Sequence, residues 1–186
     1  MNNYRFISKC IIALLSCIIG LTSCGDKIPT NEIHYTTADN SVLPIKNLFY
    51  FGEGRIVSNS YVPDKNVCIL KLDKDVTEIG GEAFDGYESL TSITIPESVT
   101  EIGEGAFSHC SNLTFITLPE SLTEIEKRAF SRCSSLTSIF IPPSVTWIRG
   151  WTFSGCSSLT EVRIPKGCYV DEDAFISCPK VKIIRY

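Results

Sequence analysis

Residues 90–110 read LTSITIPESVTEIGEGAFSHC, and this stretch decides the fold because it recurs along the chain. Close copies occupy residues 113–133 and 136–156, a degraded copy starts at Leu159, and a half-copy starts at Val181. One copy cannot bury its apolar side alone, so neighbouring copies must stack coil on coil around a common core. Columns spaced by 23 residues are Ile79, Ile102, Ile125 and Ile148, and Phe84, Phe107, Phe130 and Phe153.

Within one copy, the residue types indicate a short strand followed by a return arm. Alternation places Ile93 and Ile95 on one face and Thr94 on the other, and β-branched residues favour strands. Pro96 ends the strand because it has no N–H to donate, and Gly103 is expected to adopt a backbone conformation that other residues resist. A period of about 20–29 residues with this apolar skeleton is typical of a leucine-rich-repeat solenoid. We therefore predict a β-rich repeat solenoid of about five coils.

The pattern I-P-x-S-V-T-x-I-G-x-x-A-F-x-x-C-S-x-L-T resembles the BspA-type leucine-rich repeat of bacterial cell-surface proteins. The resemblance covers roughly residues 67–186 and is closest between Leu90 and Leu159. It implies a curved solenoid with a parallel sheet on the concave side and short strands and turns on the convex side. It also implies adhesion or recognition of host proteins, and it supplies no catalytic residues. Many members of the family have far more coils than this chain.

Residues 1–23 are predicted to be a lipoprotein signal peptide. Arg5 and Lys9 precede an apolar run from Cys10 to Gly20, which is shorter than the ~20 residues that span a bilayer. The tetrapeptide LTSC at residues 21–24 resembles the bacterial lipobox, which implies that Cys24 is acylated and begins the mature protein. An ordinary secretory signal with an incidental cysteine is the alternative. We expect a lipid-anchored protein of the outer membrane at the cell surface, with the periplasmic face as the alternative.

The rest of the chain is predicted to divide at residue 66. Residues 24–31 are expected to form a lipidated tether, and residues 67–186 the leucine-rich-repeat solenoid, beginning with a strand at Val67–Leu72. Residues 32–66 are expected to form a β cap, because the first coil of an open solenoid needs cover. The predicted strands of this cap are Glu32–Thr37, Leu48–Phe51 and Ile56–Val62.

The net charge and the final strand indicate which partners the chain can have. The chain has 17 basic and 21 acidic residues, and removal of residues 1–23 leaves a net charge of −6, so nucleic acid is excluded as a partner. Residues 180–186 predict a final strand, and its lysines and arginine are charges that discourage edge pairing. We therefore expect a monomer, with a tail-to-tail dimer as the alternative.

The sequence predicts no enzyme, cofactor or metal site. His34 and His109 belong to no nucleophile motif. An acidic column on the return arm is interpreted as a solvated polar edge rather than a calcium site. The repeated cysteines are expected to be buried thiols rather than disulfides, and Cys68 is expected to face outward. The acidic column is Glu78, Glu101 and Glu124, and the repeated cysteines are Cys110, Cys133, Cys156 and Cys178.

The outward strand positions are the candidate binding face. Most are serine or threonine, but Phe115 and Phe140 fall on neighbouring strands, close enough to share a patch. Exposed aromatic rings beside an arginine are typical anchors for a protein partner, whereas scattered apolar exposure is the alternative. The predicted partner-binding residues are Phe115, Thr117, Ser138, Phe140, Glu161 and Arg163.

Trp147 and Trp151 also break the repeat. They take the places of Glu124 and Arg128, so both should lie on the outer arm or turn of one coil. Stacked on a sugar ring, they would make the chain a carbohydrate-binding lipoprotein. The alternative is that they pack on each other or on Arg149 and have no binding role. Tryptophan is amphipathic and suits such packing at a surface.

Overall fold

The computed structural model describes residues 27–45 and 50–186, and these residues form a β-solenoid of about five turns. Each turn has a strand on the concave side and a two-residue strand on the convex side. The concave strands are β1 (Glu32–Thr37), β2 (Ile56–Val62), β3 (Val67–Leu72), β5 (Leu90–Thr94), β7 (Phe115–Thr117), β9 (Ser138–Phe140), β11 (Glu161–Ile164) and β13 (Lys182–Arg185). The convex strands are β4 (Glu78–Ile79), β6 (Glu101–Ile102), β8 (Glu124–Ile125), β10 (Trp147–Ile148) and β12 (Tyr169–Val170), and a single 3-10 turn is described at Pro63–Lys65.

The strands of successive coils run parallel and stay in register with the repeat. On the concave side Ile93 of β5 lies opposite Ile116 of β7, and on the convex side Ile79 of β4 lies opposite Ile102 of β6. Parallel in-register pairing stacks each residue column coil over coil. The predicted solenoid with a parallel concave sheet is therefore confirmed.

The phenylalanine column forms a nearly parallel stack in the core. Neighbouring ring centroids within the column lie 5.2–5.4 Å apart, and the planes differ by at most 7°. Phe51, which lies outside the repeat, packs on Phe84 at 5.9 Å with a tilt of 58°. The N-terminal segment therefore supplies an extra ring next to Phe84, at the N-terminal end of the stack. The stack comprises Phe84, Phe107, Phe130, Phe153 and Phe175.

The cysteine column is hydrogen-bonded to the phenylalanine column. Each thiol donates to the carbonyl oxygen of the phenylalanine one coil earlier, as Cys110 does to Phe84 at 3.0 Å and Cys133 to Phe107 at 3.1 Å. Burial raises the pKa of Cys133 to about 12, which keeps this thiol protonated. Among the described residues all six cysteines are free thiols. The column thus links coils by hydrogen bonds in the core.

Cys68 faces the core, and the prediction that it faces outward is wrong. Val67–Leu72 is one continuous strand, so Cys68 shares its face with Leu70 and Leu72. It is 1% exposed and lies directly opposite Tyr35. The repeat position of Cys68 suggested that it faces outward. In the later coils, side chains near this position do not alternate strictly between the core face and the outer face of the sheet.

The N-terminal segment enters the concave sheet. β1 runs antiparallel between β3 and β5, while β2 pairs with the other side of β3. One strand therefore separates the concave strands of the first two coils, although their convex strands pair directly. Ile33 and Tyr35 of β1 are fully buried in the core. Of the predicted strand Leu48–Phe51, the first two residues lie outside the described residues, and Tyr50 and Phe51 form a turn.

Gly103 is needed for close packing between coils. A Cβ atom on this residue would lie 2.6 Å from the backbone nitrogen of Gly81 and 2.9 Å from the carbonyl carbon of Gly80. Its φ angle is not in the left-handed region, so the expected reason for this glycine is wrong. The side-chain volume, rather than the backbone conformation, excludes other residues here.

Candidate functional site

The candidate site is the outward face of the concave sheet between β5 and β11. β7 and β9 are adjacent, although the hydrogen-bonded ladder does not continue from one to the other. The six predicted residues lie on β7, β9 and β11, where Ser138 is exposed and the other five are half-buried. The register pairs on this face are Phe115 with Ser92, Thr117 with Thr94, Ser138 with Glu161 and Phe140 with Arg163.

Phe140 makes its aromatic contact with Tyr186. The two rings stack at 5.0 Å with an angle of 19°, and the Tyr186 hydroxyl donates to the carbonyl oxygen of Ile141 at 2.8 Å. Burial raises the pKa of Tyr186 to about 12. Phe115 is half-buried and makes no ring contact within the described part of the chain. Tyr186 is a site residue that sequence reasoning missed, because it belongs to no column of the repeat.

Glu161 and Arg163 neutralise each other beside the Phe140 ring. The Arg163 Nε donates to Glu161 Oε1 at 2.6 Å, and both side chains are a little over one-third exposed. The pair holds the guanidinium on the strand next to Phe140. This part of the face is therefore aromatic and close to neutral, which suits apolar contacts framed by hydrogen bonds.

A polar cluster at the N-terminal side of the face was not predicted. Glu32 lies 3.0 Å from His34 Nε2 and 3.4 Å from Lys71 Nζ. Burial acts to raise the pKa of Glu32, but the bonds to His34 and Lys71 outweigh it and the pKa is lowered. His34 is only 6% exposed, so its contact with Glu32 is part of the folded structure rather than a free surface group. No sequence signal identifies this cluster, because it depends on β1 entering the sheet.

Trp147 and Trp151 lie on the convex side and each carries an arginine over its ring. The Arg149 guanidinium lies 4.6 Å from the Trp147 ring centroid, and the indole Nε1 donates to Asp171 at 2.9 Å. Arg128 lies 5.0 Å from the Trp151 ring. Cation–π pairs of this kind stabilise exposed aromatic rings. One face of each ring is therefore already occupied within the chain.

Ser108, His109 and Asp85 lie together without forming a catalytic triad. The Ser108 hydroxyl and the Asp85 carboxylate both contact Nδ1 of His109, at 2.8 Å and 3.0 Å. The other ring nitrogen lies 3.3 Å from Arg132. In a triad the nucleophile and the acid contact different nitrogens of the histidine. The described residues also contain no group of three or more His, Cys, Asp or Glu side chains arranged to hold a metal ion.

The acidic column crosses the convex sheet with its carboxylates side by side. Glu101 lies directly opposite Glu78 on one strand and Glu124 on the other. Burial raises the pKa of Glu101, and repulsion from Glu78, Glu124 and Glu126 raises it further. Like charges directly opposite each other in a sheet are destabilising.

Glu101→Gln is expected to stabilise the protein at pH 7 by about 0.5 kcal/mol. The folded-state pKa of Glu101 is above its unfolded value, so its protonated form favours folding and stability is lost as pH rises through the folded pKa. The variant should therefore be more stable than the wild-type chain at pH 7, and this difference in stability should disappear near pH 4. Thermal melting at both pH values measures this, with the exposed Glu172→Gln as the control. An equal gain at both pH values would contradict the electrostatic explanation.

A stacked parallel sheet with an exposed concave face defines a leucine-rich-repeat solenoid, a fold that generally mediates protein interactions. The sequence model described as "BspA type Leucine rich repeat region" matches residues 55–184 in six copies. The chain therefore belongs to the BspA-type leucine-rich-repeat family, whose members are bacterial cell-surface proteins and are typically non-enzymatic.

Solved structures support this family assignment. A leucine-rich repeat protein of T. pallidum is 30% identical with a TM-score of 0.60, covering 76% of this chain and 71% of that protein. A leucine-rich cell surface protein of Faecalibacterium prausnitzii is 37% identical with a TM-score of 0.58, covering 61% of this chain and 30% of that protein. A protein of Eubacterium ventriosum, 24% identical with a TM-score of 0.53, covers 61% of this chain and 30% of its own length and supports the fold alone. No curated protein matches the chain.

The predicted targeting segment lies outside the described residues, and so does Cys24. Among the residues that the structure does describe, no helix has the length and apolar character needed to cross a membrane.

Proposed function

We propose that this chain is a lipid-anchored binding module of the bacterial cell envelope that binds a protein partner through its concave face. Its role is adhesion to a host or to neighbouring cells. The family supports surface display and protein interaction. The observation that carries the choice of face is the presence of Phe115 and of the stacked pair Phe140 and Tyr186 on an otherwise hydroxyl-rich sheet.

The arrangement of the face leaves room for a partner side chain. The repeat places Phe115 beside Ser138 and Phe140 beside Thr117 across β7 and β9, so each ring has a short hydroxyl side chain on the next strand. An aromatic or aliphatic partner residue would contact both phenylalanines, with the Glu161–Arg163 pair at the rim.

Phe115→Ser combined with Phe140→Ser is expected to weaken partner binding at least about 30-fold, because buried aromatic anchors dominate interface energies. The measurement is adhesion of cells that display the chain to a host epithelial monolayer and to immobilised matrix proteins. Ile176→Ser is the matched control, since it also removes an exposed apolar side chain, from the convex turn of another coil. Normal adhesion of a folded double variant would exclude the concave face as the site.

The proposed location predicts that protease treatment of intact cells removes the solenoid. A surface-exposed domain is accessible to protease, whereas a periplasmic domain is protected until the outer membrane is lysed. Cys24→Ser removes the proposed acylation site and should abolish incorporation of labelled palmitate into the protein. Full protection in intact cells would contradict adhesion, and equal palmitate labelling of wild type and the Cys24→Ser variant would contradict the lipid anchor.

The alternative, carbohydrate binding through Trp147 and Trp151, has less support. The arginine over each ring and the hydrogen bond from Trp147 to Asp171 occupy groups that a sugar would need. Among the residues that the structure describes, no cation or aromatic ring covers Phe115 on the concave face, so we place the proposed function there.

A further inference from the structure

β2 is an unusual edge strand. With seven residues, IVSNSYV, it is the longest strand among the described residues, and it contains no charge and no proline. It pairs with β3 on one side, and within residues 27–45 and 50–186 no strand pairs with its other side. Val57 is 61% exposed. Proteins usually protect such edges with charges, proline or short length, and here one bulge between Ile56 and Ser58 is the protection.

We propose that the free edge of β2 docks β2 of a second copy of this chain, antiparallel about a two-fold axis at Asn59. Most interfaces between identical chains have two-fold symmetry, in which the same surface contacts itself. A charged strand opposes such pairing, because like charges face each other across the axis. β2 has no charge to oppose it, and the axis places Ser58 opposite Ser60 of the second copy with both side chains on the exposed concave face.

The charges just beyond the two ends of β2 favour the same arrangement. Glu53 and Arg55 precede the strand, and Asp64 and Lys65 follow it. Antiparallel pairing centred on Asn59 brings the N-terminal end of β2 in one copy next to the C-terminal end of β2 in the other. Glu53 then lies toward Lys65 of the second copy, and Arg55 toward Asp64. The Glu53 and Arg55 side chains are 89% and 83% exposed, so their pairs within the chain are weak and leave them free to reorient.

The C-terminal strand β13 is less suited than β2 to pairing with the same strand of a second copy. Its sequence, KIIR, carries Lys182 and Arg185, and pairing with itself would bring positive charges together. The tail-to-tail dimer considered from the sequence is therefore less favourable than a dimer through β2.

A dimer through β2 would join two concave sheets into one. The two-fold axis lies perpendicular to the sheet, so both concave faces point the same way. Two binding faces on one assembly raise the effective affinity for a multivalent surface. A strand pair contributes less than the ~800 Å² per partner of a standard interface, so we expect a weak dimer. The docking itself does not depend on the proposed partner-binding residues.

The test is cysteine cross-linking in cells that produce the full chain. Ser60→Cys treated with a short bis-maleimide is expected to give a cross-linked dimer at least ten times more abundant than the wild-type chain, whose described cysteines are buried. Adding Ser58→Lys should reduce this dimer at least tenfold, because two lysines then flank the axis. Adding Ser58→Thr, the matched control, should leave it unchanged. Each variant is checked for folding by its melting curve.

Three results would overturn the proposal. One is a Ser60→Cys variant that cross-links no more than wild type. Another is a dimer that persists in the Ser58→Lys variant. The third is efficient cross-linking of Lys182→Cys in place of Ser60→Cys, which would locate the contact at β13. The Phe115→Ser, Phe140→Ser background separates this test from the proposed function, because the β2 dimer should survive there while adhesion is lost.

Discussion

Phe107→Ala is expected to lower the free energy of unfolding by about 4 kcal/mol. The ring is fully buried and stacks between Phe84 and Phe130 at 5.2 Å and 5.4 Å. The cavity cannot close easily, because the backbone ladders of the flanking coils fix their spacing. Urea denaturation followed by circular dichroism measures the change.

Two comparison variants make this prediction specific. Phe51→Ala should cost less than Phe107→Ala, since Phe51 meets the stack at one side and at 58°. Phe115→Ala should cost about 1 kcal/mol or less, because its ring is only half-buried and lies on the concave face. Equal losses for Phe107 and Phe115 would show that the ring stack does not stabilise the solenoid. A broader transition in Phe107→Ala would indicate that the coils on its two sides unfold separately.

Tyr35→Ala is expected to destabilise the protein by about 4 kcal/mol or more, because this residue anchors β1 between two coils. Tyr35 is fully buried, its hydroxyl donates to Asn59 at 2.6 Å, and it accepts a bond from the Leu43 N–H at 3.1 Å. The alanine removes the ring and leaves both polar groups without this partner. Denaturation midpoints and protease sensitivity of residues 27–45 report the effect.

Tyr35→Phe separates the hydroxyl from the ring. It keeps the packing and should cost about 1–2 kcal/mol, the penalty for leaving buried polar groups unpaired. A Tyr35→Ala variant no less stable than Tyr35→Phe would mean that β1 is not held by this ring. The first coil would then depend on β2 and β3 alone.

The repeat predicted most of the fold because its information is local. A period of 23 residues and alternation within each copy indicate which residues face the core, and Val67–Leu72 is a strand with the predicted limits. The N-terminal strands Glu32–Thr37 and Ile56–Val62 also have their predicted limits, since short β-branched runs between turn residues identify strands. The candidate face followed from the same alternation, which placed Phe115 and Phe140 outward.

The residues that the sequence placed wrongly or did not identify depend on contacts between distant segments. Cys68 lies on the core face of Val67–Leu72, opposite Tyr35 of β1, and Phe51 joins the ring stack although it lies outside the repeat. Tyr186 reaches Phe140 across more than forty residues of sequence. None of these contacts has a pattern in the sequence, since pairing between non-repeated segments is selected by shape.

The sequence by itself determined the stacking of coils, the identity of the buried columns and the outward position of the candidate face. These properties follow from periodicity, because each coil repeats the same division into apolar and polar positions. Only the tertiary structure decided the order of strands at the N-terminal end, where an antiparallel strand separates two parallel coils. That choice depends on how well Ile33 and Tyr35 fill the space between the coils, a matter of packing that no single segment encodes.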